Sequence, residues 1–533
     1  MKRFLAFFLI MAVAAVSVFA SGQTQESAAS ASGGFADYSR GFTQRVTIQV
    51  PIYDRAYQGW NPADNYWTRW IQREFGDRYN ITVQYVAIGR NTENQEIPQL
   101  LAANRAPTII FHYDMPRMVN YYSEGVLQKL NHNEIRNYAP TFWAKSGSII
   151  EKYGTINGDR VFFFAERPAA DNFTTLIRKD WVERAGYTVE QLTNINVYNQ
   201  MLLKWKELGL GTLGHQLLQN NFTFNYGFRQ WPVNQSERLL YSELNVADLP
   251  WAPTKEFLRD LNWKYNNGVL DPEFYLRDTD AKALAEFVAG RTGTFALYMT
   301  NNRHVDVMQA TIANSPGAQF AVLPPTAAIP QGYMPQGRGY WDFGMVMGIN
   351  HRATNEQRVA MWMFLEWMSQ PNVLNTLQNG HAGVNFNYLP NGLPQRIDGY
   401  TGEATLSPNG NKDYWCWVVE AARYMDPALF WTAQKNLWSP PGYEALVDDI
   451  IRYYQQTTQY RTPDPLFTVP VQSINEYQAD LNVLFQQLYV RIVRAPVAQF
   501  ETEYNTAVRT YLNAGYQSIL DEKARLIRAG SYN

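Results

Sequence analysis

One cysteine, Cys416, in 533 residues excludes any disulfide within the chain, so ordinary burial must hold the fold together. Flanked by Trp415 and Trp417, that thiol reads as a buried, inert group, and no convincing base lies nearby to make it a nucleophile. Histidine is scarce as well. His112, His132, His215, His304, His351 and His381 form no HExxH or other close zinc spacing, and there is no EF-hand loop. Calcium would need a site assembled from scattered Asp and Asn oxygens, and the expectation is no metal and no cofactor. Charged residues reach only 18%, with 46 Lys and Arg against 48 Asp and Glu and no block of either sign. That balance excludes an electrostatic binder of nucleic acid or of an anionic membrane. Asp342-Phe343-Gly344 has the letters of a kinase motif, but no glycine-rich nucleotide loop precedes it. No internal repeat is apparent, and no apolar run after Phe19 approaches membrane-spanning length.

What is present begins at the N-terminus. Lys2 and Arg3 precede an apolar run from Phe4 to Phe19, which closes on Val18-Phe19-Ala20 ahead of Ser21-Gly22. That order is the one a secretory signal takes, with cleavage expected after Ala20, and the run is short for a permanent span. No cysteine sits at the junction, so a lipid anchor has no attachment site and a diffusible periplasmic form is expected. Residues 21–40 read as a flexible linker. Aromatic residues make up 15% of the chain, with 16 Trp, 34 Tyr and 28 Phe. Aromatics fill cores, and they also give flat apolar platforms on which sugar rings stack. Composition alone does not separate the two.

Periodicity gives the fold class. Val46, Ile48 and Val50 alternate, Tyr66, Trp67, Trp70, Ile71 and Phe75 share a helical stripe over 65–79, and Ile81, Val83 and Tyr85 alternate again. A helix near 93–104 leads to the apolar run Pro107–Phe111. Strand and helix in alternation predict an α/β layer with a largely parallel sheet. Ligands of such sheets gather beyond the strands' carboxyl ends, which singles out Tyr53 and Asp54, and His112, Tyr113 and Asp114. Two extended runs, Val161–Phe164 and Phe173–Ile177, suit a crossing between lobes, Phe320–Leu323 reads as a further strand, and Trp341–Ile349 is apolar. Helices are expected at 255–267, 281–289, 355–369, 442–456, 471–488 and 499–514, the last stopped by Gly515. Residues 326–340 form a Gly- and Pro-rich loop, and 385–440 an aromatic, loop-rich stretch.

Read in order, several strings resemble the bacterial extracellular solute-binding proteins, the large family that includes the maltose-binding protein, and among them the long members associated with oligosaccharide import. They are Thr108–Phe111 before His112-Tyr113-Asp114; Tyr153–Gly158 with Val161–Phe164; and Leu176–Trp181 with Gly186. Phe287–Gly293, Met347–Asn350, the helix after Asn355, Gly380–Gly383 and the closing stretch Phe500–Glu522 continue the pattern. The missing signal-proximal cysteine departs from the lipoprotein type. The resemblance implies a two-lobed Venus-flytrap fold of the periplasmic-binding-protein type, α/β, with mixed, largely parallel sheets flanked by helices. By analogy, lobe I takes 41–165 and 325–384, and lobe II takes 166–324 and 385–533.

The same analogy puts His112, Tyr113 and Asp114 on the cleft wall, Asp114 as an acceptor for paired sugar hydroxyls. Tyr53, Asp54 and Trp60 follow the first strand, and Glu166 sits at the hinge, where it binds hydroxyls or pairs with Arg167. Trp231 is a stacking candidate from the second lobe, and Tyr340 and Trp341 follow the loop at 337–339. Trp415 and Trp417 lie in the late insertion, where they either extend the cleft or pack a core. The expected function is the non-catalytic receptor of an ABC importer: a monomer that captures an oligosaccharide or other polar solute and delivers it to a membrane permease, with no nucleic-acid partner. The alternative is a secreted glycoside hydrolase or polysaccharide lyase, for which aromatics and carboxylates would equally serve. An adhesin is disfavoured by the α/β organisation.

Overall fold

In the computed structural model the strand that opens the fold runs further than its alternation suggests, to Asp54. The structure describes residues 35–167, 173–211, 235–242, 245–276, 280–298, 303–333, 337–397, 399–420, 429, 432–433 and 442–533. Tyr38–Asn533 forms one compact unit. The elements that place the site are, in chain order, β1 (Val46–Asp54), β2 (Ile81–Gly89), α1 (Glu93–Ala102), β3 (Ile109–His112), α2 (Met115–Ser123), β4 (Phe163–Glu166) and β5 (Phe173–Arg178). They continue with α3 (Ala252–Asn266), β6 (Thr294–Tyr298), β7 (Phe320–Val322), β8 (Gly337–Arg338), β9 (Phe343–Ile349) and α4 (Asn355–Ser369). The chain closes with α5 (Glu444–Thr458), β10 (Arg461–Thr462), α6 (Gln472–Arg494), α7 (Phe500–Tyr511) and α8 (Gln517–Arg528).

Two three-stranded sheets, β3-β9-β4 and β6-β5-β7, anchor the two lobes. β1 and β2 pair in parallel, Val46 opposite Ile81 through to Asp54 opposite Gly89. β8 and β10 also pair in parallel. The remaining major pairings are antiparallel: β9 with β3 and β4, and β5 with β6 and β7. The sheets are thus mixed, with less parallel character than the βα alternation suggests. The reason is topological. β3 and β4 run in the same direction, and β9 returns between them, antiparallel to both, after a long excursion of the chain.

The first core joins both faces of this sheet. It contains Ile48, Val50, Trp67, Phe75, Phe111 and Phe162–Phe164, together with Met345–Met347 and the α4 residues Trp362, Phe364 and Leu365. α4 is buried over most of its circumference, as its wide apolar face requires. Each of those three fully buried side chains contributes roughly 2–3 kcal/mol of burial. A capping box between Thr354 and Gln357 starts the helix. Residues 404–419, expected with the second lobe, pack here instead: Tyr414, Trp415, Cys416, Trp417 and Val418 are members of the first core.

β5 separates two smaller cores by alternation. Leu176 faces Phe287, Phe295 and Ile450, whereas Ile177 faces Trp181, Trp205 and Ala327. A helical core joins α3 to α6, α7 and α8 through Phe257, Leu261, Phe485, Tyr489, Tyr504, Tyr511 and Ile519. Gly515 ends α7's regular geometry with φ 121°, and the chain bends there and resumes as α8. A Cβ at Gly515 would lie 2.4 Å from the Tyr477 ring, so the bend needs glycine for both backbone and space.

Candidate functional site

The carboxyl ends of β1, β2 and β3 converge. After β1, the Asp54 carboxylate accepts the Ala56 N–H at 2.8 Å, and Ala56 takes the left-handed conformation at φ 54°. The turn sends Arg55 to Asp413, with Nε 2.8 Å from Oδ2 and Nη2 2.8 Å from Oδ1. After β2, Arg90 pairs with Glu93, and its guanidinium lies over the rings of Tyr53 at 5.0 Å and Tyr113 at 5.6 Å. After β3, His112 Nδ1 accepts the Asp114 N–H at 2.8 Å, and Nε2 lies 3.1 Å from Asn94 Oδ1. Burial, aided by Arg117 and Arg90, lowers the His112 pKa to about 3. The imidazole is therefore neutral, with its proton on Nε2 and donated to Asn94.

Beyond the end of β3 lies a cleft. Tyr113, Asp114 and Asn120 line it from β3 and α2, and Trp341 lines it from the chain leading into β9. The opposing side comes from Asn245, from Asp464 and Phe467 in the stretch between β10 and α6, and from Asn475 in α6. Contacts already cross it. Asn245 Nδ2 donates to Asp114 Oδ2 at 3.0 Å, and Asn120 Nδ2 donates to Asn475 Oδ1 at 3.2 Å. The Trp341 indole N–H donates to the Asp464 carbonyl at 3.0 Å, and its ring stacks on Phe343 at 5.5 Å and 4°. Arg117 Nε lies 3.6 Å from Asp114 Oδ2.

The expected site residues therefore divide. Tyr113, Asp114 and Trp341 line one cleft. Four others stand behind its wall: Tyr53, His112, Trp415 and Trp417 are 2%, 4%, 5% and 1% exposed. Tyr53 donates to Glu93 Oε2 at 2.5 Å, Trp415 Nε1 donates to the Gly410 carbonyl at 3.0 Å, and Trp417 packs on Phe111. Burial raises the Tyr53 and Tyr113 pKa values well above the usual phenol range, so both hydroxyls keep their protons. Asp54 serves the turn, and Trp60 packs half-buried against the first core. Glu166 joins β4 to the 418–420 stretch, its N–H donating to the Val418 carbonyl at 3.2 Å and its carbonyl accepting the Glu420 N–H at 2.7 Å. Tyr340 lies under the Arg167 guanidinium at 4.5 Å. Trp231 lies outside the described residues.

Sequence reasoning missed Asn120, Asn245, Asp464 and Asn475. A faint signal existed for Asp464 alone: it opens the stretch Asp464–Val471, which carries Pro465 and Pro470 between two helical patterns and cannot be regular helix. It also missed the partners that hold the wall, namely Glu93, Asp413 and Glu420. Glu420 Oε1 takes the Lys412 ammonium at 2.7 Å. A Cβ at Gly344 would meet Glu420 Oε2 at 2.4 Å, so the glycine of the kinase-like letters serves close packing. Burial pushes the Cys416 thiol well above its ordinary pKa, in line with an inert role. Among the described residues no group of three or more His, Cys, Asp or Glu is placed to hold a metal, and no helix is long and apolar enough to cross a membrane.

Residues 70–387 match the family described as bacterial extracellular solute-binding protein. No curated protein matches the chain by sequence. Among solved structures, the fold is similar to an alginate-binding protein, AlgQ2, without calcium ion, with TM-score 0.62 and 15% identity over 92% of this chain and 99% of that one. It is similar to an HMO-binding, ABC-transporter-associated solute-binding protein from Bifidobacterium longum infantis, with TM-score 0.63 and 12% identity over 92% and 100%. It is also similar to the S. pneumoniae ABC-transporter substrate-binding protein FusA in complex with kestose, with TM-score 0.61 and 14% identity over 91% and 99%. At these identities the likeness speaks for the two-lobed fold.

Proposed function

The chain belongs to the bacterial extracellular solute-binding protein family, and on that premise we propose that it captures an oligosaccharide in the cleft at Tyr113, Asp114 and Trp341 and delivers it to an ABC permease. One observation carries the reading. The cleft sets two aromatic rings, Tyr113 and Trp341, among the amides of Asn120, Asn245 and Asn475 and the carboxylates of Asp114 and Asp464. Rings offer apolar faces to sugar C–H groups, and planar amides and carboxylates satisfy hydroxyls in pairs. The solved relatives bound to kestose or described as HMO-binding have the same fold.

In this reading Tyr53, His112, Trp415 and Trp417 shape the wall without touching the solute. The contacts that cross the cleft, Asp114 with Asn245 and Asn120 with Asn475, join surfaces that a solute would bridge. Binding drives closure only by the solute's greater affinity for the closed form. We assign one lobe to 41–165 and 325–384, with 404–419 added because Tyr414–Val419 pack in the first core, and the other to 166–324 with the remaining tail. Residues 1–20 act as a secretory signal, and the mature chain is a diffusible periplasmic monomer.

The test is calorimetric titration with an oligosaccharide library, followed by product analysis after prolonged incubation. Saturable binding without turnover is expected. Trp341→Ala should weaken binding by about tenfold or more, roughly 1.4 kcal/mol, in a protein that remains folded. Cleavage of the sugar would instead establish a glycan-active enzyme, and unchanged affinity in Trp341→Ala would move the cleft elsewhere.

A further inference from the structure

The Tyr113 ring has a fixed backing. Tyr53, in β1, and Tyr113, just after β3, set their rings nearly parallel, 11° apart in plane with centroids 6.1 Å apart. The Arg90 guanidinium lies over both, 5.0 Å from the Tyr53 centroid and 5.6 Å from that of Tyr113. A planar cation on an aromatic face is attracted by the ring's quadrupole, more strongly where water is displaced. Of these three residues Tyr113 lines the cleft, and Tyr53 is buried in the wall behind.

Arg90 is itself held twice. Its backbone N–H donates to the Asp54 carbonyl at 2.8 Å, which ties the end of β2 to the end of β1. Its guanidinium pairs with Glu93 in the first turn of α1, and the other oxygen of that carboxylate accepts the Tyr53 hydroxyl at 2.5 Å. Glu93 is buried, which raises its pKa, and Arg90 and the Tyr53 hydroxyl oppose the rise. One buried carboxylate therefore fixes both the cation and the rear ring. A ring free to turn must be ordered when a solute stacks on it, and that ordering is subtracted from affinity. A ring resting on a fixed cation enters the encounter already ordered. We infer that Arg90 is a positioning residue for solute capture: its guanidinium presets the Tyr113 ring as a stacking platform, and Glu93 presets the guanidinium. The inference rests on the carbohydrate reading and deepens it, by naming a residue that acts on the solute through another.

The experiment measures the affinity of the full chain for length-matched fructo-, malto- and xylo-oligosaccharides in the parent, Arg90→Ala, Tyr113→Ala and the double variant. Arg90→Ala should weaken binding by about five- to tenfold, and by less than about twofold once Tyr113 is alanine. Arg90→Lys keeps the charge without the plane and should recover part of the loss. Because Arg90→Ala strands the buried Glu93 charge, the cycle is repeated in Glu93→Gln, which removes that charge and keeps an acceptor for the Tyr53 hydroxyl. A second measurement needs no solute. Fluorotyrosine incorporated at Tyr113 should give a fluorine NMR signal displaced from that of an exposed ring, moving toward the exposed value in Arg90→Ala. An Arg90→Ala effect as large without Tyr113 as with it overturns the inference, since Arg90 would then act on the solute directly or on the fold. An unmoved fluorine signal overturns it as well. Binding of none of the oligosaccharides removes the carbohydrate reading and the claim on affinity with it, while the fluorine signal still decides whether Arg90 holds the ring.

Discussion

Replacing Arg55 with alanine should destabilise the first lobe by about 2–3 kcal/mol. The guanidinium contacts Asp413 three times, Nε at 2.8 and 3.1 Å and Nη2 at 2.8 Å. Net hydrogen bonds to charged groups are worth about 1.5–3 kcal/mol each, and breaking a buried pair costs about 3–5. The Arg55 side chain is 25% exposed and that of Asp413 10%, so water recovers part of the loss. Asp413 also keeps the Asn409 amide at 2.8 Å. Those two facts set the estimate below the fully buried limit. Asp413→Ala should cost about the same. Because both changes remove one interaction, the double variant should lose little more than either single one, a coupling of about 2 kcal/mol. Arg55→Lys keeps the charge without the fork and should lose about half as much. Urea unfolding of the four proteins, followed by intrinsic fluorescence, measures the cycle. A coupling below about 0.5 kcal/mol would refute the view that this pair pins residues 404–419 to the end of β1.

Gly515→Ala forces a side chain into a φ of 121° and against the Tyr477 ring, and should lower stability by about 2–4 kcal/mol; a melting temperature equal to the parent's would remove the requirement for glycine at that bend. His112 is held neutral in the folded state with its pKa near 3, while the unfolded ring titrates near 6.5. Its contribution is therefore fully present above about pH 6.5 and is lost, by up to about 1.4 kcal/mol per unit, as pH falls toward 3. His112→Gln should flatten the stability profile in that window relative to the parent, and parallel profiles would exclude His112 as the source. Cys416→Ser should leave solute affinity unchanged, since the thiol is buried and borders no part of the cleft; loss of binding in a folded variant would give Cys416 a role the structure does not assign it.

Where a residue's environment is set by its sequence neighbours, the fold was legible. Val46, Ile48 and Val50 announced β1, and the breadth of Met361–Met368 announced a helix buried on several sides. The alternation stops at Val50, yet β1 runs on through Pro51 to Asp54: it pairs in a ladder with β2 alone, and an edge strand tolerates a missing N–H. The strand-end rule found Tyr113 and Asp114 because β3 delivers them directly. It also drew in Tyr53 and His112, whose side chains turn into the wall, since position after a strand does not fix direction. Trp415 and Trp417 were ambiguous for a chemical reason: an indole is the same apolar plate in a core as against a sugar. Asn245 and Asn475 carried no local signal, because only the closure of the chain brings them opposite Asp114 and Asn120.

The first core has a consequence for how the protein comes into being. Its sheet is interrupted after Glu166 and regains β9 only at Phe343, and its packing is finished by Tyr414–Val419. A chain growing from its N-terminus at about 5–20 residues per second thus waits roughly 10–50 s between making β4 and making the segment that seals the layer. During that interval β3 and β4 lack the strand that belongs between them, and the apolar runs Ile109–Phe111 and Phe162–Phe164 have no lasting cover. A nascent chain in that state stays open and competent to be threaded in extended form, but it offers sticky, unpaired strand edges to its neighbours. Holding such a chain apart from others until its last third appears is a task for chaperones, and it is set by the topology alone.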